Sequence, residues 1–336
     1  MEGPQFWGVI IYPVPGQLIL KNWYTFTIFI VRMDAMLANS QPLPHLSLFS
    51  SPGWKDYELL DSGNGSKLER YGSFILIRPE PEAIWQPGLP EKEWGAAHAV
   101  FQTSAEENGG HWDYLKRLPE RWSMEYQGLK FWVRTTASRH LGVFPEQACQ
   151  WDWIGSQVTT SRRPLKVLNL FGYTGLASLA AARAGATVTH LDASRKVINW
   201  ASENQQLSGL FDRPIRWIVD DALKFVQREA RRNLKYDGLI LDPPKFGRGP
   251  KGEVWEFYKL IPALLEACRG IISPQAKFVV LTAYAVKASA VTLYYSMNEM
   301  MTQWKGHVEA GEVVLVESSL KRALSTAIFA RWSDKT

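Results

Sequence analysis

The most regular signal lies in the second half of the chain. Mostly apolar runs at 165–171, 186–192, 215–219, 236–242 and 277–282 alternate with helical stretches: one ending at 184, then 195–207, one reaching about 232, 254–269 and 288–304. Strict strand–helix alternation with apolar strands predicts a parallel α/β sheet wound on both faces, because strands covered by helices on both sides have no solvent-facing positions to fill. Two more strands, 308–316 and 323–332, follow without a helix between them. A short loop must join them, so one runs antiparallel. The expected fold class is α/β: a doubly wound sheet closing on an antiparallel strand pair, preceded by a small, mostly β domain.

The earlier part reads as short strands and turns. Residues 57–61 lead into the turn Ser62-Gly63-Asn64-Gly65-Ser66, and 74–78 read as a strand after Gly72-Ser73. Residues 122–126 and 129–134 form a hairpin around Gln127-Gly128. Pro79, Pro81, Pro87 and Pro90 break the chain between them. Residues 145–154 read as a connecting helix with Pro145 near its start. The expected organisation is therefore an extension and linker over 1–53, a small β-rich domain over 54–158 that is a candidate for substrate binding, and the sheet domain over 159–336.

Within the first segment, the Pro- and Ser-rich residues 39–52 read as the linker. Residues 6–31 are apolar but broken by Pro13, Pro15 and Lys21, too short a run for a membrane span and without the marks of a signal peptide. Met33 and Met36 follow at once, and translation starting at one of them is the preferred expectation; an N-terminal extension is the alternative.

Composition narrows the class. The 336 residues are 46% hydrophobic and 21% charged, as in a soluble protein with a substantial core. A net charge of +5 permits a nucleic-acid partner without requiring one. The two cysteines, Cys149 and Cys268, suit neither a zinc motif nor a disulfide framework, so a reducing, cytoplasmic location is expected. The six histidines are dispersed, and no metal is expected. Most of the fifteen tryptophans precede Arg162. Core packing is the first reading for them, base stacking the second.

Chemistry gathers at the predicted strand ends. The first strand runs into Phe171-Gly172-Tyr173-Thr174-Gly175, where glycines let backbone approach a ligand at a helix N-terminus. The dinucleotide spacing G-x-G-x-x-G is missing. Asp192 closes the second strand and can accept ribose hydroxyls, or cap the next helix. Asp220-Asp221 closes the third, where a carboxylate can accept an exocyclic amine, or again cap. The fourth ends in Asp242-Pro243-Pro244-Lys245-Phe246, two prolines stiffening the exit beside the carboxylate. Lys245, Arg248 and Lys251, with Lys321 and Arg322 in the last loop, can meet phosphates or simply stay solvated.

Residues 171–175, Asp192, Asp221, the Asp-Pro-Pro-Lys-Phe exit and the closing strand pair resemble a class I S-adenosylmethionine-dependent methyltransferase with a Rossmann-like sheet, over about 165–332. The exit motif is similar to that of the bacterial 23S rRNA methyltransferase group, which includes cytosine-C5 enzymes. Residues 61–70 and 142–147 resemble segments of other members of that wider group. The resemblance implies that Phe171, Gly172, Tyr173, Thr174 and Gly175 line the methionine moiety, Asp192 holds the ribose and Asp221 the adenine. It implies that Phe144 and Gln147 cover the cofactor, S-adenosyl-L-methionine, from the other domain. Asp242, Pro243 and Pro244 would face the methyl-transfer space, with Lys245 completing the candidate catalytic set.

One departure limits the chemistry. Cytosine-C5 transfer needs a thiolate, which in the ribosomal RNA enzymes follows the fifth strand; here Thr282-Ala283-Tyr284-Ala285 stands in that place. Both cysteines read as small buried hydrophobes, and His140, near Phe144, reads as structural. The expectation is therefore an RNA methyltransferase, ribosomal RNA favoured, acting on nitrogen or oxygen, with Asp242 orienting the acceptor. Alternatives are a protein or small-molecule methyltransferase, a nicotinamide-dependent dehydrogenase, and a catalytically silent binding module. No membrane partner is expected, and the oligomeric state is left open.

Overall fold

The computed structural model describes residues 43–51, 53–104 and 109–334. The expected start at Met33 or Met36, the extension over 1–32 and the beginning of the linker lie outside the described residues.

The stretch read as linker carries a strand, β1 (Leu46–Phe49). Then follow β2 (Tyr57–Gly63), β3 (Ser66–Tyr71), β4 (Phe74–Pro79), one helical turn α1 (Glu91–Trp94), β5 (Ala99–Thr103) and β6 (Gly110–Tyr114). Strands β2 to β6 form one sheet in sequence order, antiparallel except at β4–β5. The hairpin β7 (Trp122–Tyr126) and β8 (Leu129–Val133) pairs in the expected register. Both expected tight turns have paired positive φ values, 51° and 74° at Asn64-Gly65 and 45° and 83° at Gln127-Gly128. That is the geometry which matches the twist of a two-residue hairpin.

A 3₁₀ turn (Pro145–Gln147) runs into α2 (Ala148–Thr159). The alternating half follows: β9 (Lys166–Leu170), α3 (Leu176–Arg183), β10 (Thr187–Asp192), α4 (Arg195–Leu207), β11 (Ile215–Val219), α5 (Ala222–Arg231) and β12 (Gly238–Leu241). The span 254–269, expected as a single helix, differs. Its first three residues are a strand, β14 (Val254–Glu256), paired with β13 (Phe246–Arg248), and only then does α6 (Phe257–Arg269) begin. Val254 and Trp255 suit a pleated surface, and the Gly- and Pro-rich turn before them brings the chain back on itself. The chain closes with β15 (Phe278–Ala283), α7 (Ala290–Met300), β16 (Gly306–Val316) and β17 (Ala323–Asp334).

The main sheet has the order β1-β16-β17-β15-β12-β9-β10-β11. Strands β9 to β12 and β15 are parallel, and β17 pairs antiparallel with both β15 and β16. The doubly wound sheet with its closing antiparallel pair is therefore as expected; the added edge strand β1, parallel to β16, is not. Every residue of β12 and β15 is buried, which accounts for their unbroken apolar runs.

The small β sheet is tied to the carboxyl edge of the main sheet by the β16–β17 loop. Ser318 and Ser319 donate backbone N–H bonds to the Leu59 and Leu60 carbonyls at 2.8 and 3.1 Å. Arg322 bonds Glu317 and the Ser62 carbonyl and lies 3.5 Å from Asp61. Of the two readings weighed for Arg322, phosphate contact or solvated charge, neither includes this arrangement, in which its guanidinium pairs with Glu317 and lies beside Asp61. Core packing claims many of the tryptophans: Trp112, Trp122, Trp151, Trp200, Trp255 and Trp332 are buried. Among the described residues, no helix is long and apolar enough to cross a membrane.

Candidate active site

The parallel register brings the ends of β9, β10 and β11 to one rim: Leu170 sits beside Leu191, and Asp192 beside Val219. Beyond Leu170 the backbone turns through left-handed positions at Phe171 (φ 57°), Tyr173 (φ 51°) and Gly175 (φ 90°). Only the last is a glycine, so this loop stores strain of the kind found at ligand-holding turns. Gly172 is required for another reason: a Cβ there would lie 2.3 Å from the buried His190 ring. Burial pushes that imidazole down to about 3, so it is a neutral wall under the loop, bonded through Nδ1 to Ser178 at 2.9 Å.

Asp192 holds the loop. Its Oδ2 accepts from Tyr173 N–H at 3.1 Å and its Oδ1 from Ser194 N–H at 2.9 Å. Each carboxylate oxygen keeps a second lone pair, so hydroxyls of a ribose can still be accepted. Burial raises its pKa above the ordinary carboxylate value, and those backbone N–H groups oppose the rise. Asp220 N–H reaches the Asp192 carbonyl at 3.3 Å, placing Asp221 on the same rim. Asp221 also caps α5, accepting from Lys224 N–H at 2.9 Å. The capping role weighed for it from sequence is thus present, and it uses one of the two oxygens.

The pocket beside this rim is lined by Phe144, Gln147, Phe171, Gly172, Tyr173, Thr174, Gly175 and Asp242, all anticipated. Asp192 and Asp221, on the rim beside it, and Pro243, Pro244 and Lys245, all anticipated with them, do not line it. The two prolines steer the chain outward, where the Pro244 carbonyl accepts from Trp255 Nε1 at 2.7 Å and the Lys245 carbonyl from Phe257 N–H at 3.0 Å. Trp255 packs on Phe171 with ring centroids 4.9 Å apart, so the β13–β14 hairpin, which follows β12, braces the loop that follows β9.

Phe144 covers the pocket from the other side. Its ring packs on Tyr173 at 5.5 Å, Tyr284 at 5.1 Å and His140 at 4.9 Å. Burial lowers the His140 pKa to about 3, which fits the structural role expected. Gln147 Nε2 approaches Asp242 Oδ2 at 3.4 Å. The Asp242 carboxyl is pushed up to about 8, first by burial and then by the buried Glu146 next to Gln147. A carboxyl that titrates near neutrality at a pocket wall is suited to holding or taking a proton.

Several members of the site escaped the sequence reading. Asn169, Gln150, Trp151 and Thr282 line the pocket. Asn204, fully buried on α4, accepts from Trp132 N–H at 2.8 Å and donates to the Thr174 carbonyl at 3.0 Å, joining the β7–β8 hairpin to the glycine loop. Thr174 Oγ1 in turn donates to the Gly142 carbonyl at 2.6 Å. A polar residue inside the amphipathic pattern of α4 was the one available hint. Neither cysteine lines the pocket. Burial pushes Cys149 up to about 11 and Cys268 to about 12, so neither is poised as a thiolate.

Comparison with known proteins meets this geometry. The family model described as S-adenosylmethionine-dependent methyltransferase matches residues 94–271. The crystal structure of the SAM-dependent methyltransferase from Agrobacterium tumefaciens is 49% identical, with a TM-score of 0.83 over 88% of this chain and 96% of that one. SMU.776, a methyltransferase solved in complex with SAH, is 17% identical with a TM-score of 0.62 over 95% of this chain and 83% of that one, and shares the fold.

Among curated relatives, the ribosomal RNA large subunit methyltransferase K/L of Shewanella frigidimarina is 31% identical over 46% of this chain and 21% of its own length. That of Shewanella sp. strain ANA-3 is 33% identical over 55% and 28%. The chain spans less than a third of the length of those relatives. The strained glycine loop, the rim carboxylates with spare lone pairs and the walled pocket fit a sulfonium nucleoside. With the family match they place S-adenosylmethionine as the cofactor: the chain belongs to the S-adenosylmethionine-dependent methyltransferase family.

Proposed function

We propose that the protein methylates RNA, ribosomal RNA foremost, at a nitrogen or oxygen acceptor oriented by Asp242. The observation that carries the acceptor chemistry is the Asp242 carboxyl itself: it lines the cofactor pocket with its pKa raised to about 8, while both thiols lie elsewhere. Bound S-adenosylmethionine supplies an electrophilic methyl on a sulfonium. The residues of this chain then have three tasks. Phe171 to Gly175 with Asp192 and Asp221 hold the nucleoside, Phe144 closes the pocket against water, and Asp242 aligns the acceptor and receives its N–H or O–H. The sulfonium charge favours the ionised carboxylate, so the proton-accepting form gains when the cofactor is present.

Support for RNA comes from the names of the curated relatives and from the surface beside the pocket. The β13–β14 hairpin exposes Phe246 and Val254, and α6 exposes Tyr258, with Arg248 and Lys251 also exposed nearby. Aromatic faces among cations suit unpaired bases and phosphates. On this reading residues 54–158 contribute to substrate binding and cover the cofactor through Phe144 and Gln147, residues 159–336 hold the cofactor and carry the basic and aromatic hairpin surface, and the protein works in the cytoplasm. Labelled methyl donor incubated with separated RNA, protein and metabolite fractions, followed by nucleoside analysis, tests it. The expected product is a methylated nucleoside from RNA, with transfer weakening as salt rises. Label confined to protein or metabolites refutes the substrate. Asp242→Ala transferring methyl to total RNA at the wild-type rate refutes the role of Asp242.

A further inference from the structure

One side chain of the pocket has a donor to spare. Gln150, on α2, is 1% exposed and lines the pocket with Ile240 of β12 and with Val280 and Thr282 of β15. Its Oε1 accepts from Arg331 Nη1 at 3.3 Å. Arginine has no acceptor, so the amide oxygen must face it and the NH₂ must face away. That Nε2 has no hydrogen-bond partner among the described residues. A buried donor left unmade is costly, and a fold that keeps one inside a ligand pocket points to a ligand that accepts from it. Arg331 is not free to take the ligand itself. Glu309 holds it at 2.8 and 2.6 Å, and its guanidinium lies over the Phe49 and Trp153 rings at 4.4 and 4.7 Å.

Strand order says which part of the cofactor this donor meets. Asp192 ends β10 and Asp221 follows β11, on one side of β9; β12 and β15 lie on its other side. A nucleoside resting over β10 and β11 extends its amino-acid end across the glycine loop toward β12 and β15, the strands that share the pocket with Gln150. At that end the α-carboxylate is the group that only accepts hydrogen bonds. We propose that Gln150 Nε2 donates to the α-carboxylate of bound S-adenosylmethionine, with Arg331 fixing the amide from behind; this rests on the reading of Asp192 and Asp221 as ribose and adenine partners.

The test compares two ligands by calorimetry: S-adenosylhomocysteine, and 5′-methylthioadenosine, which keeps the nucleoside but lacks the amino-acid end. Gln150→Met keeps the volume and removes the donor. Gln150→Glu keeps an oxygen for Arg331 and sets a like charge against the carboxylate. Both variants should weaken S-adenosylhomocysteine on the order of 10-fold or more, the loss of one charge-assisted hydrogen bond. Affinity for 5′-methylthioadenosine should stay within about 2-fold, since no contact to the nucleoside is removed. Equal losses for both ligands in Gln150→Glu, or unchanged S-adenosylhomocysteine affinity in that variant, overturns the proposal. Wild-type protein that fails to bind S-adenosylhomocysteine would instead strike at the cofactor reading.

Discussion

Replacing Asp242 by Asn should stabilise the protein progressively as pH rises from about 4 to about 8, even as it removes the group that aligns the acceptor. Burial and Glu146 raise this carboxyl from 3.8 to about 8 in the native state. Between those values the native protein holds a proton that the unfolded chain has released. The unfolded state therefore binds fewer protons, and wild-type stability contributed by this group falls as pH climbs through the window and is flat above it. Asn carries no such titration. The full shift would amount to several kcal/mol; solvent at the mouth of the pocket screens it to about 3 kcal/mol. Urea unfolding of both proteins at pH 5 and pH 9 reads the effect. For an m-value of about 3 kcal/mol/M, the midpoint of the variant relative to wild type should rise by about 1 M between the two conditions. Glu146, whose pKa burial also raises, is present in both proteins, and its interaction with Asp242 is part of the shift that this difference reads. A midpoint difference that stays constant across the window would show that Asp242 ionises normally and would remove the physical basis for its role.

The other expectations concern the loop and the thiols. Gly172→Ala sets a methyl 2.3 Å from the His190 ring and should cost about 1–3 kcal/mol, with S-adenosylhomocysteine affinity reduced alongside; a variant as stable as wild type would mean the loop is looser than its geometry. Asn204→Leu leaves the Trp132 N–H and Thr174 carbonyl unpartnered and should cost about 2–4 kcal/mol by denaturant titration, with weakened cofactor binding because Thr174 belongs to the loop. The double variant Cys149→Ala, Cys268→Ala should keep methyl transfer within about 3-fold, since no covalent step is needed at nitrogen or oxygen. Abolished transfer with intact cofactor affinity would instead implicate a thiolate.

Sequence alone determined whatever is written in local period and turn chemistry. Unbroken apolar runs announced the parallel strands, but the cap of the helix at 195, weighed in the sequence for Asp192, is Ser194, which accepts from Val197 N–H. Because ligands gather at the carboxyl ends of parallel strands, the loop 171–175, Asp192, Asp221 and Asp242 could be placed near one another before any coordinates. Tertiary structure decided what depends on chain segments meeting across long separations. Trp132 and Asn204 are 72 residues apart, and Gln150 and Arg331 are 181 apart, so no pattern along the chain marks either pair. The same holds for β1, whose four residues look like linker until β16 offers its edge, and for Arg322, whose charge looked available until Asp61 and Glu317 enclosed it. Burial sets the proton affinity of Asp242 and the spare donor of Gln150, and burial is a property of the packed molecule. Hydrophobic period fixes which elements form; only their packing fixes which polar atoms lose water, and those atoms make the site.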